Sequence, residues 1–339
     1  MKVVITGYNT CCLNHTGGVQ VRVKKIYELL SQRNDVEVEY FRPMETDFNS
    51  VDVLHIFKLE PEFYMLVKWA KSRGIKIVLS SIVPLHGGSK IKIYRYLINK
   101  LPILTAHKMS SEILNCVDAI VSETPEEKNF IAKYYGINSQ KISVIPNGID
   151  ISNYDGREIF EKIRGVKDYT LVVGRFDSNK NQKNVIKALK GTDMDVVLIG
   201  GPDSVCSAYF EECKELTGND TRFHYIGWVD NGSNLLKSAY AHAKAFVFPS
   251  YQETFGLVLL EAAIAGCNLA ISKTLPIHGF HVFDDACLFD PTNVDDIRDK
   301  VTSAFSMSKS EIWKNRVIEK FAWSTVIDSH VKLYESLVK

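Results

Sequence analysis

The chain has 339 residues, of which 45% are hydrophobic and 24% are charged, and its formal net charge is +1. This composition is typical of a soluble globular protein and excludes a disordered or fibrous chain. The length favours two domains of ordinary size over a single core. A net charge so near zero gives no reason to expect a nucleic acid partner.

The sequence predicts neither a transmembrane helix nor a secretion signal. Its longest apolar runs, residues 245–249 and 257–265, are far shorter than the roughly 20 residues that a membrane-spanning helix needs. The first residues, Met-Lys-Val-Val-Ile-Thr-Gly, read as a strand and lack the apolar core of a signal peptide. The seven cysteines show no Cys-x-x-Cys spacing. We therefore expect reduced thiols in a cytoplasmic protein.

Short apolar and β-branched runs alternate with helical patterns along the chain. In the first half, strands are predicted at residues 3–6, 36–41, 53–57, 75–80, 119–122 and 142–145. Helical patterns lie between most of them, at about residues 18–31, 61–73, 90–115 and 124–135. Such alternation is typical of parallel βαβ units with helices on both faces of a sheet.

A turn cluster, Pro146-Asn147-Gly148-Ile149-Asp150, interrupts this alternation and predicts a domain boundary. The strands resume at residues 170–174, 196–200, 223–227, 245–249 and 269–272, and residues 317–339 read as helix. We therefore predict an α/β protein with two doubly wound parallel-sheet domains, residues 1–150 and 151–320. Open sheets of this kind bind ligands beyond the carboxyl ends of their strands.

Two glycines follow the first predicted strand, in the segment His15-Thr16-Gly17-Gly18-Val19, and precede an amphipathic helix. Glycine lets a diphosphate or a sugar approach the free N–H groups at a helix start, so Gly17 and Gly18 are candidate binding residues. The same dipeptide is equally typical of an ordinary turn. The segment is not the full G-x-G-x-x-G fingerprint of dinucleotide-binding proteins.

A second motif places two cations after the first strand of the second half. Gly174 and Arg175 end that strand, and Lys180 stands five residues later, where the next helix is expected to begin. Two fixed cations beside one crevice would stabilise a departing diphosphate without a metal ion. Taken alone, the two cations are equally typical of a solvated surface.

The strongest motif is Phe-Pro-Ser-Tyr-Gln-Glu-Thr-Phe-Gly-Leu-Val-Leu-Leu-Glu-Ala, residues 248–262. Glu253 lies in the loop after a buried strand, and Glu261 interrupts the apolar face of a helix that we expect to begin near Phe255. A carboxylate on that face would cost several kcal/mol unless it is partnered. The N–H groups that open such a helix can hold phosphate oxygens. A structural role for both glutamates is the alternative.

Together these motifs resemble those of family 4 glycosyltransferases, which have the two-domain GT-B fold and retain the configuration of the transferred sugar. The resemblance covers nearly the full chain and rests on Glu253-x7-Glu261, on Gly174-Arg175 with Lys180, on the turn cluster at 146–150, and on Phe321-Ala322-Trp323 before a final helix. It implies that residues 1–150 form the acceptor-side domain and residues 151–320 the nucleotide-sugar domain. The reaction would take place in the cleft between them.

The resemblance also implies roles for individual residues. Arg175 and Lys180 would hold the donor diphosphate, Glu253 would contact the donor sugar, and Glu261 would bind the ribose. The other implied donor contacts are Gly17, Gly18, Gly174, Thr254, Phe255, Gly256 and Leu257. The final helix, about residues 321–339, would cross back to the first domain, and Trp323 would be a buried anchor at the crossing.

The sequence departs from the family pattern at three places. Asn181 stands where the family usually has Gly, and Asn268 stands where it usually has Pro. Many relatives carry a His directly after the fourth strand to position the reacting sugar, but this chain has Ser81 there. His86 and His15 are the other candidates, and His86 is our candidate catalytic residue.

The predicted activity is metal-independent transfer of a hexose or N-acetylhexosamine to a glycan or lipid-linked acceptor in cell-surface polysaccharide or lipopolysaccharide synthesis. No catalytic metal is expected, because the segment Asp193-Met194-Asp195 precedes a strand and reads as a turn. No cofactor is expected either, the nucleotide diphosphate sugar being a co-substrate. UDP is favoured as the donor nucleotide, although no side chain near residues 225–229 decides among UDP, GDP and ADP. The alternatives are a nucleotide-sugar epimerase or hydrolase, and a non-catalytic nucleotide-sugar-binding protein.

Residues 90–108 mix basic, aromatic and aliphatic side chains. This mixture is compatible with peripheral contact with an anionic membrane, at the inner face of the cell membrane. It is equally compatible with an amphipathic helix that packs on its sheet and turns a basic face to water. The sequence leaves both interpretations open.

Overall fold

The chain folds into two units, each built around one parallel sheet. The computed structural model describes residues 1–7, 18–97, 102–152, 154–163, 165–203 and 205–339. The first unit comprises Met1–Gly148 and Trp323–Lys339, and the second comprises Ile149–Ala322. The sequence had placed these divisions at 150 and at about 321.

The first unit contains a six-stranded parallel sheet in the order β2-β1-β3-β4-β5-β6. Its strands are β1 (Lys2–Gly7), β2 (Glu37–Tyr40), β3 (Val53–Phe57), β4 (Lys76–Ser80), β5 (Ala119–Ser122) and β6 (Ile142–Val144). Its helices up to the boundary are α1 (Gly18–Ser31), α2 (Tyr64–Ser72), α3 (Gly88–Leu97), α4 (Ala106–Cys116) and α5 (Pro125–Phe130).

Both faces of this sheet are covered by helices, which explains the continuous apolar runs in its central strands. Successive residues of a strand point to opposite faces. In β3, Leu54 and Ile56 therefore enter one core cluster, while Val53 and Phe57 enter the other. All five residues of β3 are buried.

One predicted helix, residues 90–115, is wrong as a single element, because the structure has α3 and α4 in its place. Residues 102–105 are not helical and begin with Pro102, which has no N–H to donate to a preceding turn. The next helix starts afresh at Thr105, whose hydroxyl accepts from the N–H of Lys108 at 3.2 Å. This is an ordinary N-cap.

The second unit contains another six-stranded parallel sheet, in the order β12-β11-β10-β7-β8-β9. Its strands are β7 (Tyr169–Val173), β8 (Asp195–Ile199), β9 (Phe223–Gly227), β10 (Ala245–Phe248), β11 (Asn268–Ser272) and β12 (Cys287–Phe289). Its helices are α6 (Glu158–Lys162), α7 (Gln182–Leu189), α8 (Ser207–Thr217), α9 (Asn234–His242), α10 (Leu257–Ile264), α11 (Val294–Ser306) and α12 (Ile312–Phe321). The sequence did not predict β12, which has three residues.

The order of strands in the second sheet identifies where a ligand is expected. From β7 the chain proceeds to β8 and β9 on one side, and then returns to build β10, β11 and β12 on the other. The reversal makes the gap between β7 and β10 a topological switch point. Loops leave such a gap in opposite directions, so a crevice opens at the carboxyl ends of the two strands.

The last helix belongs to the first unit. Between α12 and the final helix α13 (Trp323–Val338), Ala322 forms an isolated parallel bridge with Ile149. From α13, side chains such as Val326 and Tyr334 enter the core of the first unit. The Trp323 ring lies against Gly148 so closely that a Cβ there would overlap it. No helix in the described part of the chain is long and apolar enough to cross a bilayer.

Candidate functional site

The loops that follow β7 and β10 are joined at the switch point by Asn179. Its carbonyl accepts from the N–H of Tyr251 at 2.8 Å. Its side-chain oxygen accepts from the N–H of Gln252 at 3.0 Å, and its amide nitrogen donates to the carbonyl of Gln252 at 2.8 Å. Three hydrogen bonds therefore fix the two loops side by side.

This junction brings together Lys180 and Glu253, two of the residues singled out in the sequence. The Nζ of Lys180 lies 2.5 Å from Oε1 of Glu253. The ammonium is also 6.0 Å from the centroid of the Phe248 ring, at the end of β10. The pair places a cation and a carboxylate that can accept hydrogen bonds at the carboxyl ends of β7 and β10.

Arg175 lies beside this pair and is held by two carboxylates. Its Nε donates to Oδ2 of Asp177 at 2.9 Å, and its Nη1 lies 3.1 Å from Oδ2 of Asp203. The hydrogen bond to Asp177 raises the pKa of the guanidinium. The other oxygen of Asp177 accepts from the N–H of Lys180 at 2.9 Å. One buried carboxylate thus holds the side chain of Arg175 and the backbone of Lys180.

Asp177 and Asp203 were not predicted from the sequence. Asp177 stands two residues after Arg175, and Asp203 stands in the loop after β8. The approach of these loops requires Gly200, which has φ of 130°, since a Cβ there would overlap the carbonyl of Gly174. Gly174 is therefore a packing partner of that loop as well as a neighbour of Arg175.

Asn181, a departure from the family pattern, suits its position. It has φ of 57°, a left-handed conformation that Asn tolerates better than most residues other than Gly. Its buried side chain donates to the carbonyls of Pro249, at 3.2 Å, and Pro291, at 2.8 Å. Asn181 therefore adds two connections between loops that a Gly could not make.

Glu261 is partnered inside the second unit. The hydroxyl of Tyr240 donates to its Oε2 at 2.9 Å. Burial raises the pKa of Glu261, and the hydrogen bond from Tyr240 acts in the opposite direction. This bond supplies the partner that a carboxylate on an apolar helix face needs.

The helix that carries Glu261 begins at Leu257, later than expected, with Gly256 as its N-cap at φ of 102°. A Cβ at Gly256 would lie 2.8 Å from the Phe248 ring, so a larger residue would displace that ring. The side chain of Phe255 is buried, and its ring meets the Phe321 ring edge-on, with the two ring centroids 5.6 Å apart. The first helical N–H groups therefore belong to Leu257 and Val258, while Thr254 stands exposed in the preceding loop.

In the first unit, Ser81 does not present its hydroxyl to solvent. The side chain is fully buried and donates to Oε1 of Glu127 at 2.8 Å. His86 is exposed, in the segment between β4 and α3. Gly18 begins α1, whereas His15 and Gly17 lie outside the described residues. Of the three candidates for the expected N-domain histidine, only His86 is placed at the surface in the described part of the chain.

Trp228 is a further candidate that was not predicted from the sequence. It directly follows β9, and 64% of its surface is exposed. Its Nε1 donates to the carbonyl of Pro202 at 3.4 Å, and its ring lies against Gly201, where a Cβ would be 2.6 Å from Nε1. An exposed indole held along its Nε1 edge is a flat surface on which a ring can stack. Its signal in the sequence is a Trp immediately after a strand-ending Gly.

Among the described residues, no group of three or more His, Cys, Asp or Glu side chains is arranged to hold a metal ion.

Two family models match the chain. The model described as Glycosyl transferases group 1 matches residues 157–319, and the model described as Glycosyltransferase Family 4 matches residues 39–153. The chain belongs to the group 1 glycosyltransferases of the family 4 type. This confirms the family predicted from the motifs.

Curated relatives carry glycosyltransferase names. The D-inositol 3-phosphate glycosyltransferase of Corynebacterium diphtheriae is 29% identical over 184 residues, which are 49% of this chain and 43% of that protein. The UDP-Gal:alpha-D-GlcNAc-diphosphoundecaprenol alpha-1,3-galactosyltransferase of Escherichia coli is 29% identical over 177 residues, 47% of this chain and 43% of that protein. The chain thus spans about half the length, or less, of these curated relatives.

A solved structure shows the same fold over the whole chain. Anabaena Alr3699/HepE in complex with UDP superposes with a TM-score of 0.75 and 14% sequence identity, covering 99% of this chain and 100% of that one. At this identity the likeness establishes the fold alone. With the two doubly wound sheets, it confirms the predicted GT-B fold of this family 4 member.

Proposed function

We propose that this family 4 member transfers a hexose or N-acetylhexosamine from a UDP-sugar to a glycan or lipid-linked acceptor, with retention and without a catalytic metal. The observation that carries the proposal is the Lys180–Glu253 pair at 2.5 Å beside Arg175. These three residues stand where the switch point of the second sheet predicts a ligand.

The donor diphosphate is the ligand that two cations and an open helix start fit best. A leaving diphosphate accumulates negative charge, and fixed donors aimed at that charge lower the barrier. Arg175, Lys180 and the N–H groups of Leu257 and Val258 would supply those donors. When phosphate oxygens take the ammonium, Glu253 is released to accept from hydroxyls of the donor sugar.

The nucleoside is assigned to two other residues of the second unit. Glu261 would accept from the ribose hydroxyls, as the family resemblance implies. Trp228 would stack on the base, because an exposed indole offers a platform to any base ring. UDP is favoured because it appears in the names of the galactosyltransferase and of the HepE complex to which this chain is similar.

We propose a glycan or lipid-linked acceptor. We also propose that a membrane surface presents this acceptor to the protein. Exposed apolar side chains gather on and just after α3, namely Ile93, Tyr94, Tyr96, Leu97, Ile103 and Leu104. Exposed Lys90 and Lys92 lie on the same helix. This apolar and basic surface suits an anionic bilayer, and the Escherichia coli relative is named for a diphosphoundecaprenol substrate.

Retention by same-face substitution, in which the acceptor hydroxyl attacks as the diphosphate departs, is proposed on family analogy. No carboxylate nucleophile is invoked. His86 is the candidate for positioning the reacting sugar from the first unit, which would select the acceptor. Nuclear magnetic resonance of the product anomer tests retention.

A panel of UDP, GDP, ADP and the matching nucleotide sugars, screened by thermal shift in EDTA, tests the donor assignment. A ligand at 100 times its Kd stabilises the folded state by about 2.7 kcal/mol, and we expect UDP and a UDP-sugar to give the largest shifts. The best donor is then incubated with candidate acceptors. Absence of any nucleotide-dependent shift would contradict the proposal, and turnover of donor without transfer would indicate an epimerase or hydrolase.

A further inference from the structure

Tyr240 presents its hydroxyl to Glu261 from a fixed ring. The residue is fully buried in α9, and its hydroxyl donates to Oε2 of Glu261 at 2.9 Å. The ring of Tyr154 meets it edge-on, with centroids 5.8 Å apart and planes at 87°. Phe246 lies on another side at 5.8 Å. Because the ring is held by its neighbours, the hydroxyl occupies one position.

The carboxylate of Glu261 is only half engaged by this contact. Oε1 receives no hydrogen bond from the described residues, although Oε2 is bonded. Glu261 itself is only partly buried. A carboxylate has lone pairs for several donors, and it turns freely about its last bond unless one oxygen is tied. The Tyr240 hydroxyl ties Oε2 and leaves Oε1 for a ligand.

We propose that Tyr240 is a positioning residue, which fixes the rotation of the Glu261 carboxylate so that Oε1 accepts from a ribose hydroxyl of the donor nucleotide. The inference rests on the proposed function, since it assumes that Glu261 meets the ribose. Tyr240 itself does not touch the nucleotide. Its contribution therefore exists only when both Glu261 and the ribose hydroxyls are present.

The test is a cycle between the protein hydroxyl and the nucleotide hydroxyls. Calorimetry measures the Kd of UDP and of 2′,3′-dideoxy-UDP for the wild type, Tyr240→Phe, Glu261→Ala and the double variant. Coupling energies of this kind isolate a pairwise contribution. We expect the wild type to prefer UDP by about tenfold or more, the usual size for a hydrogen bond to a charged group. We expect both single variants to lose most of that preference, and the double variant to lose no more.

A matched control is Tyr169→Phe. Tyr169 is also fully buried in the second unit, and its hydroxyl donates to the carbonyl of Ala239, on the same helix as Tyr240, at 2.7 Å. The substitution Tyr169→Phe removes an equivalent buried hydroxyl, and this hydroxyl does not contact Glu261. We expect Tyr169→Phe to keep the wild-type preference for UDP over the dideoxy nucleotide, even where its Tm falls.

The outcomes separate the inference from the function on which it rests. Equal weakening of UDP and dideoxy-UDP in Tyr240→Phe would mean a structural role and would overturn the inference. The inference would also be overturned if Tyr240→Phe kept the preference for UDP over dideoxy-UDP while Glu261→Ala abolished it. In that case the donor site would be intact. A wild type that binds neither UDP nor dideoxy-UDP would contradict the proposed function and remove the inference with it.

Discussion

Ser81 and Glu127 are joined by a hydrogen bond of 2.8 Å in the interior of the first unit. The same carboxylate accepts from the N–H of Val83, at 2.8 Å, and from the N–H of Glu123, at 2.6 Å. Between Ser81 and Val83, Ile82 has φ of 46°. This is a costly conformation for a β-branched residue, so Glu127 holds a strained segment at the carboxyl end of β4.

We expect Glu127 to make the stability of the first unit depend on pH. Burial and the neighbouring Glu123 raise the pKa of Glu127 from 4.5 to about 7. Since the pKa of Glu127 is raised in the folded state, the contribution of Glu127 to the free energy of unfolding is fully present below pH 4.5. This contribution is lost as pH rises through about 7. Glu127→Gln should flatten this dependence by up to about 1.4 kcal/mol per pH unit.

Urea unfolding at intervals from pH 4 to 8, followed by hydrogen exchange of the β4 and β5 amides, measures this slope. Asn129→Ala is the control, because Asn129 lies exposed on the same helix. A Glu127→Gln variant with the wild-type slope would show that the carboxyl does not titrate in this range.

His330 should have the opposite effect at acid pH. It is fully buried in α13, both ring nitrogens lack partners among the described residues, and burial and the charge of Arg22 lower its pKa from 6.5 to about 3. Burial, His330 and the charge of Arg22 also lower the pKa of the neighbouring His55. The contribution of neutral His330 to the free energy of unfolding is therefore fully present above pH 6.5, and it is lost as pH falls through about 3.

We expect His330→Phe to reduce the acid-induced loss of Tm between pH 6.5 and 4. Removing an unsatisfied buried polar group should also stabilise the chain at pH 7 by roughly 1 kcal/mol. His281→Gln, at an exposed position, is the comparison. Parallel melting curves for wild type and His330→Phe across this range would contradict the assignment.

Trp228→Ala should weaken nucleotide binding by about 1–3 kcal/mol, the usual contribution of stacking a base on an aromatic ring. Calorimetry with UDP measures the loss, and the loss should be similar for UDP and for a UDP-sugar. Trp69→Ala is a suitable control, because Trp69 is also exposed but belongs to the first unit. Unchanged affinity in Trp228→Ala would exclude the indole as the base platform.

Membrane contact should depend on the exposed apolar side chains of α3. We expect the wild type to float with vesicles that contain anionic lipid more than with neutral vesicles. The paired change Tyr96→Ser and Leu97→Ser should reduce that flotation severalfold, since it removes apolar surface from the interface. Ile312→Ser, exposed in the second unit, should leave it unchanged. Flotation that ignores lipid charge would count against the proposal.

The strands and the donor motif were predictable because their signals are local. A short run of apolar and β-branched residues reveals a strand such as β7, and Glu253 and Glu261 lie within one segment of the sequence. Lys180 and Glu253 are 73 residues apart in the sequence. They come into contact only because β10 lies beside β7 in the sheet. No local pattern carries that information.

Other features could not be predicted from the sequence, and the reasons are again physical. Asp203 reaches Arg175 from the loop after β8, so its role depends on the packing of two loops. The three residues of β12 are too short an apolar run to be recognised as a strand. Ser81 was open to interpretation as a site residue because its burial depends on Glu127, which lies 46 residues away.

The central claim is that Arg175 and Lys180, rather than a metal, stabilise the departing diphosphate. The most direct measurement is the initial rate of sugar transfer from a UDP-sugar in EDTA, for the wild type, Arg175→Ala, Lys180→Ala and the control Lys183→Ala, whose ammonium pairs with Glu212. We expect full activity in the wild type and in the control, and losses of roughly 10²–10³ in the other two variants. Loss of wild-type activity in EDTA, or wild-type rates in Lys180→Ala, would contradict the account.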